Sequence, residues 1–271
     1  MITFPNCKIN LGLNIVSKRP DGYHNLETIF YPLKGLNDAL ELIPSNDSES
    51  HLIQSGDVID CEPEKNLVMK ALRLMEKEAG NVNFKQNIHL EKSIPSGAGL
   101  GGGSADATFT LLMLNDMFKL NIGETRLIEL SKSLGADCPF FVKNKPVYAE
   151  GIGEIMTDIE CDLSDKHFVV IKPNIHVSTK EAFSGVKPQS PEISVKEIIK
   201  RPISDWKYLL KNDFEDSIFP QYPDIQKIKE ELYSAGAIYA QMSGSGSAVF
   251  GIFDKQTKVS ISDKESKIYY V

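Results

Sequence analysis

The amino-acid sequence predicts an α+β protein of two domains, and three observations carry that prediction. The first extended segment alternates Ile9, Leu11, Leu13 and Ile15 with Lys8, Asn10, Gly12 and Asn14, the two-residue period of a β-strand. In mid-chain, a strand pattern around Ile88 to Glu91 runs through a cluster of glycines directly into a helix pattern. Toward the C-terminal end a helical stretch, a strand, a serine-glycine turn and a second strand follow one another.

Taken in order, the first strand is followed by turn chemistry at Pro20-Asp21-Gly22, an extended run from Tyr23 to Leu33 and another at Ala39 to Ile43, together an antiparallel arrangement. Leu67, Val68, Ala71, Leu72, Leu74 and Met75 are spaced for a helix that Gly80 ends. After the glycine cluster, Ala107, Leu111, Leu112, Leu114 and Met117 make an apolar helical stripe with Ser104 as its expected N-cap. Glu124 to Leu134 is a further helix stopped by Gly135, and Val147 to Ala149 with Glu154 to Met156 form a hairpin across Gly151-Ile152-Gly153. The polar stretch from Cys161 to Lys166 is the expected domain boundary, giving domains 1–160 and 161–271. Beyond it come a strand at Phe168 to Ile171, a capping box at Ser178 to Glu181 and a helix from about Ile225 to Ala235. Strands at Ile238 to Met242 and Ala248 to Phe253 enclose the turn Ser243-Gly244-Ser245-Gly246-Ser247, a second feature of phosphate size. The residues after Phe253 are polar and end in an apolar strand without an evident partner.

The central segment Pro95-Ser96-Gly97-Ala98-Gly99-Leu100-Gly101-Gly102-Gly103-Ser104-Ala105-Asp106-Ala107 carries five glycines within seven positions. Without a Cβ, backbone can adopt positive φ and bring successive N–H groups against an anion, and a helix N-terminus behind it adds partial positive charge. Gly97, Gly99 and Gly102 fit G-x-G-x-x-G, yet the chain then enters another helix instead of the second strand and acid of a dinucleotide fold. A Walker loop would place lysine after its last glycine, where Gly103-Ser104 stands. The protein-kinase lysine also fails, since Val169-Val170-Ile171-Lys172 comes far too late. A plain packing turn would not need so many adjacent glycines.

Composition narrows the class. The 271 residues are 41% hydrophobic and 25% charged, as in ordinary globular proteins, and the net charge of −7 argues against nucleic acid as the main partner. Cysteines at 7, 61, 138 and 161 form no C-x-x-C pair, which fits reduced thiols better than a zinc or disulfide framework. Met1 to Pro5 leads directly into a strand and no stretch reaches 18 apolar residues, so the expectation is a cytoplasmic protein without membrane contact.

Four residues could do chemistry. Lys8 and Asn10 share one strand face, either as a solvated surface or as a cation and an amide aimed at one site from a rigid element. Asp137, in Gly135-Ala136-Asp137-Cys138-Pro139-Phe140-Phe141, is either a helix cap or a functional carboxylate. Asp106 either favours the helix dipole or meets a metal. With the glycine loop, Lys8 and Asp137 suit phosphoryl transfer, in which an acid takes the acceptor proton and a lysine steadies developing charge.

Lys8-Ile9-Asn10-Leu11, Pro20-Asp21-Gly22-Tyr23-His24, Pro95 to Ala107, Gly135 to Phe141, Asn212-Asp213-Phe214-Glu215 and Met242 to Gly246 occur here in one order. In that order they resemble the 4-diphosphocytidyl-2-C-methyl-D-erythritol kinases, a family of the galactose, homoserine, mevalonate and phosphomevalonate kinase superfamily. The resemblance covers about residues 5 to 253. It implies an α/β ATP domain followed by a ferredoxin-like α+β domain with the site in the cleft between them. The implied reaction is ATP-dependent phosphorylation, with Mg2+, of the 2-hydroxyl of a cytidine diphosphate ester of methylerythritol, in the non-mevalonate isoprenoid route. Transferred by position, Asp137 is the base and Lys8 its electrostatic partner, with Asn10 on the substrate. Tyr23 and Phe183 would stack on cytosine while His24 reads its edge. Pro95, Ser96, Gly97, Ala98, Gly99, Leu100, Gly101, Gly102, Gly103 and Ser104 would wrap the ATP phosphates, and Lys92 and Asn66 would lie near adenine. Where superfamily loops carry a serine pair that helps hold magnesium, Gly102 and Gly103 stand, so the metal ligands stay unassigned. The resemblance further implies a small-molecule partner and a monomer or weak homodimer. A sibling kinase for mevalonate, homoserine or a sugar would give the cytosine residues no purpose, and a nucleotide-binding regulator would not need Lys8 and Asp137.

Overall fold

The computed structural model describes residues 1–57, 59 and 61–271. Its strands are β1 (Ile2–Thr3), β2 (Asn6–Lys18), β3 (His24–Asn37), β4 (Ala39–Pro44), β5 (His51–Gly56), β6 (Gln86–Lys92), β7 (Val147–Glu150), β8 (Ile155–Asp158), β9 (His167–Lys172), β10 (Tyr239–Met242), β11 (Val249–Phe253) and β12 (Lys267–Tyr270). Its helices are α1 (Leu67–Glu78), α2 (Gly102–Met117), α3 (Glu124–Lys132), α4 (Cys138–Lys143), α5 (Thr179–Ser184), α6 (Val195–Ile198), α7 (Ile203–Leu209), α8 (Asp213–Ile218) and α9 (Pro223–Ser234). Strands and helices mix as an α+β chain should.

Two compact units share the chain by interleaving, not by a division near residue 161. One comprises Met1–Cys7, Lys34–Ser96 and Gly101–Lys145; the other comprises Lys8–Leu33, Gly97–Leu100 and Pro146–Val271. The division differs from the expected one in that the β2-β3-β7-β8 sheet, all of it before residue 161, falls largely in the same unit as the residues after it.

In the first unit a sheet of order β1-β4-β6-β5 carries α1 and α2. The parallel pairing of β5 with β6, which the sequence did not suggest, needs a crossover, and α1 supplies it. Leu40, Leu42, Ile88 and Leu90 pack with Leu72, Met75, Leu111 and Leu114 in one core. Asn66 caps α1 by accepting from the Val68 amide at 3.0 Å. Ser104, expected to cap α2, lies inside its first turn instead: Gly101, with φ +71°, is the N-cap and makes no side-chain cap bond.

Beneath the start of α2 lies a buried ionic cluster. The Lys92 ammonium bonds Asp38, and also Asp106 at 2.7 Å, while the other Asp38 oxygen accepts from the amides of Ser93 and Ile94 at 2.6 and 2.8 Å. Burial lowers the Lys92 pKa, but the two carboxylates outweigh it and raise it above the ordinary value. Asp106 is therefore neither a plain dipole partner nor a free ligand; it joins α2 to the end of β6.

The second unit holds two antiparallel sheets, β2-β3-β7-β8 and β10-β11-β9-β12. The final apolar strand finds its partner in β9, Lys267 to Tyr270 opposing Lys172 to Val169. Ile225, Ile228 and Leu232 turn one stripe of α9 onto β10 and β11, into a core with Leu13, Ile15, Val169, Ile171 and Val249. Both faces of β2 are buried from Asn6 to Ile15, so the polar face of its alternation is no solvated surface.

The ionic cluster predicts a pH effect. Burial pushes the Asp106 carboxyl up to about 7, opposed by the Lys92 charge and assisted by Asp38. An acid raised in the folded state stabilises fully below its unfolded value and loses that contribution as pH climbs through the folded one, a window here from 3.8 to about 7. Asp106→Asn should thus gain roughly 1–3 kcal/mol relative to the parent between pH 5 and pH 8 in urea unfolding. A difference independent of pH would mean that Asp106 is ionised throughout.

Candidate active site

Within the second unit, β2 places Lys8 and Asn10 two residues apart on one face, where both are buried. The Lys8 ammonium donates to Asn10 Oδ1 at 2.8 Å and lies 4.9 Å from the centroid of the Phe30 ring. This resolves the open choice at those residues: they are a built polar pair inside the unit.

The first half of the glycine loop is fixed by main-chain contacts. The Lys8 amide donates to the Leu100 carbonyl at 2.9 Å and the Ala248 amide to the Ala98 carbonyl at 3.2 Å. Gly97 and Gly99 have φ of +61° and +77°. A Cβ on Gly99 would overlap the Ser243 carbonyl, and one on Gly97 would press on the His176 ring at 3.2 Å. Glycine is demanded here by conformation and space alike.

The serine-glycine turn is the counterpart of that loop. Ser243 Oγ donates to the Gly99 carbonyl at 2.9 Å, and the Asn10 amide approaches the same Oγ at 3.4 Å. Asn212 holds the turn from behind, its amide donating at 2.8 Å to the carbonyls of both Met242 and Gly244. Glu215 accepts from the Met242 amide at 2.9 Å and from Lys229 at 2.5 Å. Burial pushes the Glu215 carboxyl up, and the Lys229 charge counters it. The Asn212 to Glu215 motif is thus a brace for the turn.

His24 and Phe183 are also gathered in this unit. Their rings stack at 4.9 Å with 18° between planes, and Phe214 meets Phe183 edge-on at 4.8 Å. Tyr23 is 60% exposed. His24 therefore lies against the Phe183 face, not at the rim of an open aromatic slot. Partial burial, then the charge of Lys18, lowers its pKa, so the ring is neutral at physiological pH and offers one donor and one acceptor.

The rest of the expected residues lie in the first unit. Gly101 caps α2, and a Cβ on Gly102 would sit 2.8 Å from Ile94 and 3.3 Å from Lys92 Nζ, whereas one on Gly103 would meet nothing nearer than 3.8 Å. Only the first of the two positions that might have carried the serine pair is closed to a side chain. The ammonium of Lys92 is committed to Asp38 and Asp106, and Asn66 to capping α1 and to Gln54 at 3.4 Å. Asp137 precedes α4, half-buried, and makes no side-chain cap bond, so the capping role weighed for it is not the one it fills. No group of three or more acidic, histidine or cysteine side chains fit to hold a metal exists among the described residues.

Sequence reasoning missed Thr28 and Asp38. Thr28, fully buried on β3, accepts from Asn10 Nδ2 at 3.0 Å, and Asp38 organises the turn before the glycine loop. Neither carries a motif signal; a buried threonine looks like any β-former.

Residues 66–145 match the GHMP kinases N terminal domain and residues 194–269 the GHMP kinases C terminal family. A Bacteroides fragilis protein named 4-diphosphocytidyl-2-C-methyl-D-erythritol kinase is 56% identical over 98% of this chain and 97% of its own. A crystal structure of 4-(cytidine 5'-diphospho)-2C-methyl-D-erythritol kinase superposes with a TM-score of 0.79 at 33% identity, covering 93% of this chain and 90% of that one. The Methanococcus jannaschii mevalonate kinase, 13% identical with a TM-score of 0.68 over 100% of this chain and 97% of its own, shares the fold. The chain thus belongs to the 4-diphosphocytidyl-2-C-methyl-D-erythritol kinase family, within the GHMP kinases.

Proposed function

We propose that this chain transfers the γ-phosphoryl group of ATP to the 2-hydroxyl of the methylerythritol part of 4-diphosphocytidyl-2-C-methyl-D-erythritol, in the cytoplasm and as a monomer or weak homodimer. The observation that carries the reading is the glycine loop as built. Gly97, Gly99 and Gly101 all take positive φ, and the loop opens directly into α2, a 16-residue helix without a side-chain cap. Uncapped N–H groups and the helix dipole suit phosphate oxygens.

In the proposed step Asp137 accepts the proton of the acceptor hydroxyl as its oxygen bonds to the γ-phosphorus. The bond from that phosphorus to the bridging oxygen breaks, and ADP departs. Lys8 spreads the charge that builds on the transferring group, held in place by Asn10. When bound with the nucleotide, Mg2+ would offset phosphate charge, a role that needs few protein carboxylates; among the described residues no group of three or more acidic, histidine or cysteine side chains is fit to hold it alone. Lys92 and Asn66, their side chains engaged, would face adenine through neighbouring main chain. Neutral His24 can both donate to and accept from a cytosine edge, with Tyr23 and Phe183 supplying ring faces.

A panel measuring ATP consumption with the cytidine diphosphate ester, mevalonate, homoserine and galactose should show turnover on the ester alone. Turnover on another acceptor would make this a sibling kinase. Asp137→Asn should fold and keep its ATP affinity while kcat falls by at least ~10²-fold, the scale for a lost proton acceptor; near-normal turnover would remove Asp137 from the step. Phe183→Ala and Tyr23→Ala should each raise the KM for the ester by roughly 5- to 150-fold, the worth of one stacking contact, and move the KM for ATP by less than about threefold. Variants that disturb ATP and spare the ester would displace the cytosine site.

A further inference from the structure

An asparagine amide can present either end, and the Lys8 ammonium, a donor only, can use only the oxygen. What fixes that choice lies on the neighbouring strand. Thr28 Oγ1 donates to the Gly12 carbonyl at 2.5 Å. A hydroxyl has one hydrogen, so Thr28 can meet Asn10 only as an acceptor. Asn10 must then turn Nδ2 to Thr28, at 3.0 Å, which leaves Oδ1 for Lys8 at 2.8 Å. Gly12 anchors the chain of bonds, with φ +67° and its amide donating to Gln241 Oε1 at 2.9 Å. Thr28 is fully buried and Asn10 and Lys8 nearly so, which makes the reverse orientation expensive: it would set Nδ2 against an ammonium and leave Thr28 facing an oxygen it cannot satisfy.

We propose that Thr28 is a positioning residue for phosphoryl transfer: its hydroxyl dictates the orientation of the Asn10 amide and, through it, the place of the Lys8 ammonium. This rests on the reading above that Lys8 steadies the transferring phosphoryl group. Thr28 touches no reactant, so its influence should fall on kcat and not on binding of either substrate.

The test is steady-state kinetics with ATP and the cytidine diphosphate ester varied in turn. Thr28→Val, which keeps the shape and removes the hydroxyl, should lower kcat by ~10- to 100-fold while both KM values stay within about threefold. Thr28→Ser, which keeps the hydroxyl and loses a methyl, should retain kcat within about threefold. In an Asn10→Ala background the same Thr28→Val change should cost less than about threefold more, because its target is gone. If the valine variant does not fold by circular dichroism, Thr28→Ala removes the hydroxyl without strain and takes its place. Equal losses in the serine and valine variants, unchanged kcat without the hydroxyl, or additive losses with Asn10→Ala would each overturn the proposal while the parent remains an active kinase. A parent that phosphorylates no acceptor of the panel overturns the underlying reading instead, and the proposal with it.

Discussion

The approach of the Gly99 main chain to the Ser243 carbonyl is the constraint on which the second unit's polar site depends. No side chain fits between them, so the loop is held by direct backbone apposition and by the Ser243 hydroxyl. The backbone apposition is stiff, since neither main chain has a rotamer to change. The cost is moved outward: a turn this tight must itself be held, and Asn212 and Glu215 hold it by bonds to Met242 and Gly244. A motif without an evident chemical role is thereby explained as the support of the serine-glycine turn.

Buried charge is the second theme. Glu27 accepts from Asn14, Tyr148, Ser194 and the Val195 amide, all within 3.0 Å, and Asp38 from two amides and Lys92. Each carboxylate is surrounded by donors, so it can stay buried without an unpaired charge. The exception is Asp106, one oxygen of which has no partner. Burial raises its pKa, the Lys92 charge opposes that and the like charge on Asp38 adds to it. Exchanging these acids for apolar residues of similar size would not necessarily destabilise the fold, but it would remove the directional bonds that fix main chain at the loop.

How much of this was legible in the sequence depends on the range of the interaction that decides each feature. Local chemistry was readable: the alternation of β2, the capping box at Ser178, whose hydroxyl does accept from the Glu181 amide at 3.1 Å, and the turn between β10 and β11. Long-range pairing was not. Short β5 has no signal of its own and is a strand because β6 lies beside it, and the interleaved units arise because β2, β3, β7 and β8 cluster with residues after 161. At the site, glycines, Lys8 and Asp137 stand out by residue type. Ser104 misled, because a good capping residue near a helix start looks the same whether or not it is the cap. Thr28 and Asp38 stayed invisible because their roles are relations to residues 18 and 54 positions away, at Asn10 and Lys92.

The placement of the parts follows a division of labour between rigid and adaptable elements. Lys8, Asn10 and Thr28 lie on long paired strands buried on both sides, where a displacement of one side chain would have to move a sheet. Tyr23 lies just before β3, and Phe183 sits on the six-residue helix α5. Turns and short helices tolerate change more readily than strands paired inside a sheet. A fold shared at 13% identity with a kinase named for a different acceptor is what that arrangement allows. Under the proposed roles, the elements that would hold charge against phosphate are locked by backbone and buried bonds, and those that would meet the acceptor lie in a turn and a short helix, where a new substrate can be met by local change.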